Sequence, residues 1–167
     1  QVSAFSDETP STEALLRAVS SEFDRVIENN RLKAKNRDCI RDAAVDGDAC
    51  LYIWYDPDRA QGSFSTGEIV AEVIENTNVY FGNPQVEDIQ RQPSILIARR
   101  VMLEEARKEA LSFGGDPESI HSDDDPNGIN RQLEHGKVTT LLRFWKQDGV
   151  VWFCKVCKNA VLRPPVK

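Results

Sequence analysis

Asp123-x-Asp125-x-Asn127-Gly128, followed by Glu134, is the sharpest local match to known site chemistry in the sequence. These residues fall at the first, third, fifth, sixth and twelfth positions of an EF-hand calcium loop, where short carboxylates and a Gly turn wrap a hard cation. The flanks argue the other way. Gly114-Gly115-Asp116-Pro117 breaks the helix that should lead in, Pro126 stiffens the loop, and Asn130 stands where an aliphatic anchor belongs. A solvated acidic loop is the simpler reading of Asp116–Gly128, which holds five carboxylates and no base.

Cys154-x-x-Cys157 is half of a zinc knuckle. Only Cys39, Cys50, His121 and His135 remain to complete it, and they form no ligand-like pairs. A redox Cys-x-x-Cys opens a helix, where the dipole favours the thiolate. This one lies in a strand pattern, where the two sulfurs fall on opposite faces or are separated by a bend. Neither a Gly-x-Ser-x-Gly elbow nor a Gly-rich phosphate loop occurs, and neither His has a triad context. No catalytic, cofactor-binding or metal-ligating residue is assigned, and the chain is expected not to be an enzyme. Trp145, Trp152 and Phe153 lie near Arg143, Lys146 and Lys155, a mixture that suits base stacking. Packing within a sheet is the simpler expectation for them, as it is for Tyr52, Trp54 and Tyr55 in their acidic surroundings.

The elements that must position these residues follow from periodicity. Residues 1–11 read as a flexible start and 12–165 as one α+β domain, with the acidic loop 116–135 inside it and 166–167 as a truncated end. Leu16, Val19, Phe23 and Val26/Ile27 recur at helical spacing, and Leu32, Cys39, Ile40, Ala43 and Ala44 continue a weaker stripe. The pattern predicts one long helix, or two with a kink, ending at Asp46-Gly47-Asp48. So long a helix on so narrow a stripe packs on a sheet or on a neighbouring subunit. Strands are predicted over Ala49–Tyr55, Glu68–Ile74, Asn78–Phe81 and Ser94–Arg100, with an amphipathic helix from about Met102 to Phe113. Lys137–Trp145 and Val150–Cys157 form the clearest hairpin, turning at Gln147-Asp148-Gly149, and Arg163-Pro164-Pro165 is expected to leave the sheet. Helices at the front and antiparallel strands behind them make an α+β class.

The 167 residues include 40% apolar and 29% charged side chains, enough for a buried core. The most apolar run, Ser94–Ala98, falls far short of the roughly 18 residues of a membrane span, and no secretory leader opens the chain. Gln1 rather than Met stands first, so a piece of a longer protein is expected. Four cysteines suit a reducing compartment, with Cys39 and Cys50 as small core residues. Residues 1–135 carry 14 Lys/Arg against 26 Asp/Glu, whereas residues 136–167 carry seven bases against Asp148 alone. An acidic body repels polyphosphate, which argues against tight nonspecific DNA binding.

Three segments together resemble portal proteins of tailed double-stranded DNA bacteriophages. The first is Asn36–Asp48 followed by Leu51-Tyr52-Ile53-Trp54-Tyr55-Asp56-Pro57: a long helix, a Gly-Asp turn, and a strand finishing in Tyr-Asp-Pro. The others are Glu72–Pro84 and Gln92–Arg100, and the hairpin Val138–Val156 is similar too. The resemblance runs from about Thr12 to Pro165 and matches the outer, or wing, domain. It implies a structural role in the virion, with the protein in the bacterial cytoplasm during assembly. It further implies a ring, usually of twelve subunits, at one capsid vertex. The implied partners are capsid, scaffold, terminase and head-tail adaptor proteins, with duplex DNA passing through the channel without tight binding and no membrane contact. The alternatives are a metal-binding module and a host-encoded α+β interaction module.

Overall fold

In the computed structural model, residues 10–57, 67–124 and 136–167 are described. Among these residues, three helices and seven strands follow one another in an α+β order, the strands forming two antiparallel sheets. The chain divides into two compact units, one ending at Asn76 and one beginning at Thr77. The stretch 12–165, read from sequence as one domain, thus carries two separate sheets.

In the first unit, α1 (Pro10–Asn29) and α2 (Leu32–Asp46) precede the hairpin of β1 (Cys50–Asp56) and β2 (Glu68–Ile74). The kinked alternative is the one adopted. Arg31 takes a left-handed conformation, φ 51°, which breaks the helical ladder after Asn29. Gly47, at φ 96°, ends α2, and its N–H donates to the Ala43 carbonyl. Only Gly reaches that conformation without steric cost.

What ties the helices to the hairpin is Asn30, a buried polar residue at the kink. Its Nδ2 donates to the Ile69 carbonyl at 2.8 Å and to the Val26 carbonyl at 3.0 Å, and its Oδ1 accepts from the Ala71 N–H at 2.8 Å. Lys35 Nζ donates to the Ala71 carbonyl. The apolar core beneath is small: Val70, Ala71 and Ile74 are buried, and α2 contributes no buried residue. Cys39 and Cys50, expected in the core, are half-buried, and Tyr55 is exposed. Tyr52 and Trp54 stack on the same face of β1 with ring centroids 4.8 Å apart.

In the second unit, β3 (Val79–Phe81), β4 (Ser94–Met102), β5 (Lys137–Gln147), β6 (Val150–Cys157) and β7 (Val161–Val166) form an antiparallel meander in that spatial order. The β5–β6 hairpin closes on Asp148 (φ 53°) and Gly149 (φ 76°), the left-handed pair that a tight two-residue turn requires. β4 runs into α3 (Leu103–Ser112) with no intervening loop. Leu103, Ala106 and Ala110 of α3 pack with Ile120, Val138, Cys157 and Leu162 to make the core of this unit.

β4 runs on to Met102, two residues past its expected end, so α3 begins at Leu103; two further elements depart from expectation. The chain does not leave the sheet at Arg163-Pro164-Pro165; it continues as β7, paired with β6 across a register shift. Proline is tolerated there because β7 is an edge strand. The hairpin strand extends to Gln147, two residues beyond the predicted end, so the turn is shorter than Gln147-Asp148-Gly149.

Candidate functional site

Register decides which side chains share a face of the five-stranded sheet. Ser94, Trp145 and Trp152 form one cross-strand row, and Leu96, Arg143 and Cys154 form the next. This face lies opposite the one on which Val138, Thr140 and Cys157 are buried against α3. The Trp145 and Trp152 rings are nearly parallel, 16° apart with centroids at 6.4 Å. The Arg143 guanidinium lies 5.3 Å from the Trp145 centroid, and Lys167 Nζ lies 5.2 Å from that of Trp152. The four side chains form a ladder of two rings and two cations, favourable because each ring face is electron-rich. Ring faces engaged in this way serve the sheet itself, so packing describes the pair better than a base-stacking platform does.

On the opposite face, Glu109 of α3 gathers two cations from the sheet. Lys155 Nζ lies 2.5 Å from Glu109 Oε2, and Arg163 Nε lies 3.9 Å from Oε1. The Arg163 guanidinium also sits over the Phe113 ring at 4.4 Å. Lys155, Phe153 and Arg163 are thus drawn to the end of α3 by charge and by an aromatic face. Sequence reasoning attached Lys155 and Phe153 to the tryptophans; the register turns both to the other side.

The acidic loop is described only at its start. α3 ends at Ser112, and a 3-10 turn at Pro117–Ser119 follows, so no helix leads into Asp123. The Asp123 carboxylate accepts hydrogen bonds from the Thr139 N–H at 2.8 Å and from the Thr139 hydroxyl at 2.7 Å. Asp124 pairs with Arg100 at 3.3 Å. The remaining positions of the calcium-like pattern, Asp125 to Glu134, lie outside the described residues.

No protein-family model and no curated protein matches the chain.

Cys154 and Cys157 occupy opposite faces of β6, as their spacing predicts, Cys157 in the core and Cys154 half-buried beside Arg143. Among the described residues, no group of three or more His, Cys, Asp or Glu is placed to hold a metal ion. One juxtaposition had no sequence signal. His121, Ser122, Asp123, Cys157, Lys158 and Asn159 line a cleft of about 50 Å³, room for ordered water. The loop after α3 and the β6–β7 turn, far apart in sequence, meet there, and Ser122 Oγ donates to the Lys137 carbonyl at 3.2 Å. The described residues thus offer packed rings, ion pairs and a small polar cleft.

Proposed function

We propose that this chain is the wing portion of a phage or prophage portal protein, a structural subunit of the ring through which DNA enters and leaves the capsid. One observation carries the reading. The segment resembling portal proteins forms a single supersecondary unit in which α2 ends at the Gly47 turn, β1 runs to Tyr55-Asp56-Pro57, and β2 returns beside it. The β5–β6 hairpin, closed on Asp148-Gly149, supplies the later segment of the same resemblance.

The charge distribution supports a structural role in contact with moving DNA. The first unit, residues 1–76, carries eight Lys/Arg against 15 Asp/Glu, and residues 77–167 carry 13 against 12. An acidic surface does not grip phosphates, so it does not brake a passing duplex. In this reading the protein works without a cofactor, and a separate ATP-driven terminase supplies the motion. Its partners are further copies of itself together with capsid, scaffold, terminase and adaptor proteins.

Electron microscopy of the protein purified with its complete natural reading frame tests the proposal. Closed rings, with about twelve subunits expected from the resemblance, support it. A protein that stays monomeric with its scaffold and capsid partners present removes the reading.

A further inference from the structure

The hairpin of the first unit has two edges, and they differ. On β2, Asn30 takes up the Ile69 carbonyl and the Ala71 N–H, and Lys35 donates to the Ala71 carbonyl, so side chains close that edge. These contacts also fix the way each residue of the hairpin faces. Peptide groups alternate along a strand, and two residues opposite each other in an antiparallel pair both turn inward or both turn outward. Ile69 and Ala71 turn outward, so their partners Tyr55 and Ile53 face out from β1, as does Leu51 opposite Val73. Among the described residues β1 pairs with β2 alone, and no hydrogen bond engages the peptide groups of Leu51 and Ile53.

β1 lacks the guards that edge strands carry. From Cys50 to Asp56 there is no Pro, no Lys and no break in register, and Asp56 is the one charged residue. Ile53 and Tyr55 are 56% and 57% exposed, and Ile69, opposite Tyr55, is 44% exposed on the same face. An apolar row beside an open row of peptide groups suits an added strand, whose backbone bonds the edge while its side chains extend the row.

Symmetry and charge name the occupant. Leu51 and Tyr55 are evenly spaced about Ile53, so two copies of β1 laid antiparallel on a two-fold axis bring Ile53 beside Ile53 of the second copy and Leu51 beside its Tyr55. In that register outward residues meet outward residues, as the exchange of N–H···O bonds requires, and the exposed side chains gain cross-strand neighbours. Asp56 falls opposite Cys50, so no acid faces an acid, although residues 1–76 carry 15 Asp/Glu against eight Lys/Arg.

We infer that β1 of one copy pairs with β1 of a second, joining two hairpins into a four-stranded sheet. The pairing does not rest on the portal reading. A ring closes through heterologous contacts and this one is isologous, so it joins two chains outside a ring or two chains of separate rings. One strand pair is a small interface beside the roughly 1,200–2,000 Å² of stable complexes, so the association is weak. Two net-negative units repel, so it strengthens as salt screens them.

Analytical ultracentrifugation and amide hydrogen exchange test the contact together. With rising concentration the wild-type chain should move from one chain mass toward two, further in high salt than in low, while exchange at the Leu51 and Ile53 amides slows. Ile53→Lys sets like charges face to face and should stay monomeric, whereas Ile40→Lys, at a 70% exposed position on α2, should behave as wild type. Circular dichroism checks folding, and Ile53→Pro, which removes an outward N–H, repeats the test should Ile53→Lys unfold. A chain that stays monomeric in high salt, or a dimer that Ile53→Lys leaves intact, overturns the pairing. Leu51 and Ile53 amides protected equally at every concentration overturn it too, since a segment of the same chain then covers the edge. Rings from the whole protein with a monomeric chain would remove this contact and leave the portal reading standing. Paired chains, without rings from the whole protein, do the opposite.

Discussion

Asn30 and Ala71 meet as two strands of a sheet would: the Asn30 Oδ1 accepts the Ala71 N–H at 2.8 Å, and one residue pair away Asn30 Nδ2 reaches the Ile69 carbonyl at the same distance. The carboxamide has the donor and acceptor of a peptide group, so it caps the edge of β2 that is turned away from β1. The side chain is positioned by the kink, since Arg31 in its left-handed conformation ends α1 with Asn30 turned toward β2.

Replacement of Asn30 by Leu should therefore destabilise the first unit by about 2–4 kcal/mol, because buried backbone groups lose partners as well as bonds. Urea unfolding followed by circular dichroism measures the shift. An unchanged midpoint and slope would sink the idea that Asn30 holds helices and hairpin together.

Glu109→Gln should cost about 1–2 kcal/mol, because Lys155 and Arg163 keep their half-buried positions and lose their counter-charge. Partly buried pairs are screened less than exposed ones, so most of this loss should persist in concentrated salt. Thermal melts at low and high salt check it. A gap between variant and wild type that closes in high salt would mean the cluster behaves as a surface pair.

Glu22 titrates below the ordinary glutamate range, chiefly because Arg25 hydrogen-bonds its carboxylate, with the Arg25 charge adding to the effect. A depressed folded-state value has a fixed sign of linkage. Its contribution to stability is present above the unfolded carboxylate pKa and fades as pH falls through the lower, folded one. In an NMR titration Arg25→Gln should return Glu22 toward the ordinary value; no movement would refute the assigned cause.

Calcium, zinc and ATP should each leave the melting temperature unchanged, and chelation should leave the circular dichroism spectrum unchanged. Any ligand that prefers the folded state must raise the melting temperature. With Asp123 engaged by Thr139, the calcium-like pattern begins on a carboxylate already in use. A rise of several degrees with calcium would show that Asp123–Glu134 closes on the ion. The same rise with zinc would point to Cys154 or Cys157, and with ATP to a phosphate site that no motif announces.

Local chemistry explains what was legible beforehand. Asp148-Gly149 and Gly47 encode backbone conformations that few other residues adopt, so the hairpin turn and the end of α2 are readable from residue type alone. The helical stripe on α1 likewise gave the element. The carboxamide of Asn30 was not legible as a bridge to Ile69 and Ala71, because its partners lie about 40 residues away and an Asn pair reads locally only as a weak spot in a helix. Division of the strands between two sheets depends on non-local pairing and leaves no periodic trace. β7 was missed because proline signals departure from a sheet unless the strand is known to lie at an edge.

The two consecutive prolines of β7 also bear on how many copies of this chain can be crowded together without clumping. An edge strand is a template on which a foreign strand can grow, peptide by peptide, toward a fibril. Pro164 and Pro165 offer no N–H, so β7 presents a gap in the donor row where an incoming strand would need it. At the other end of the sheet, β3 spans only Val79–Phe81, a short rail for any newcomer. Chains crowded side by side therefore find both edges of this sheet blunted against fusing with another.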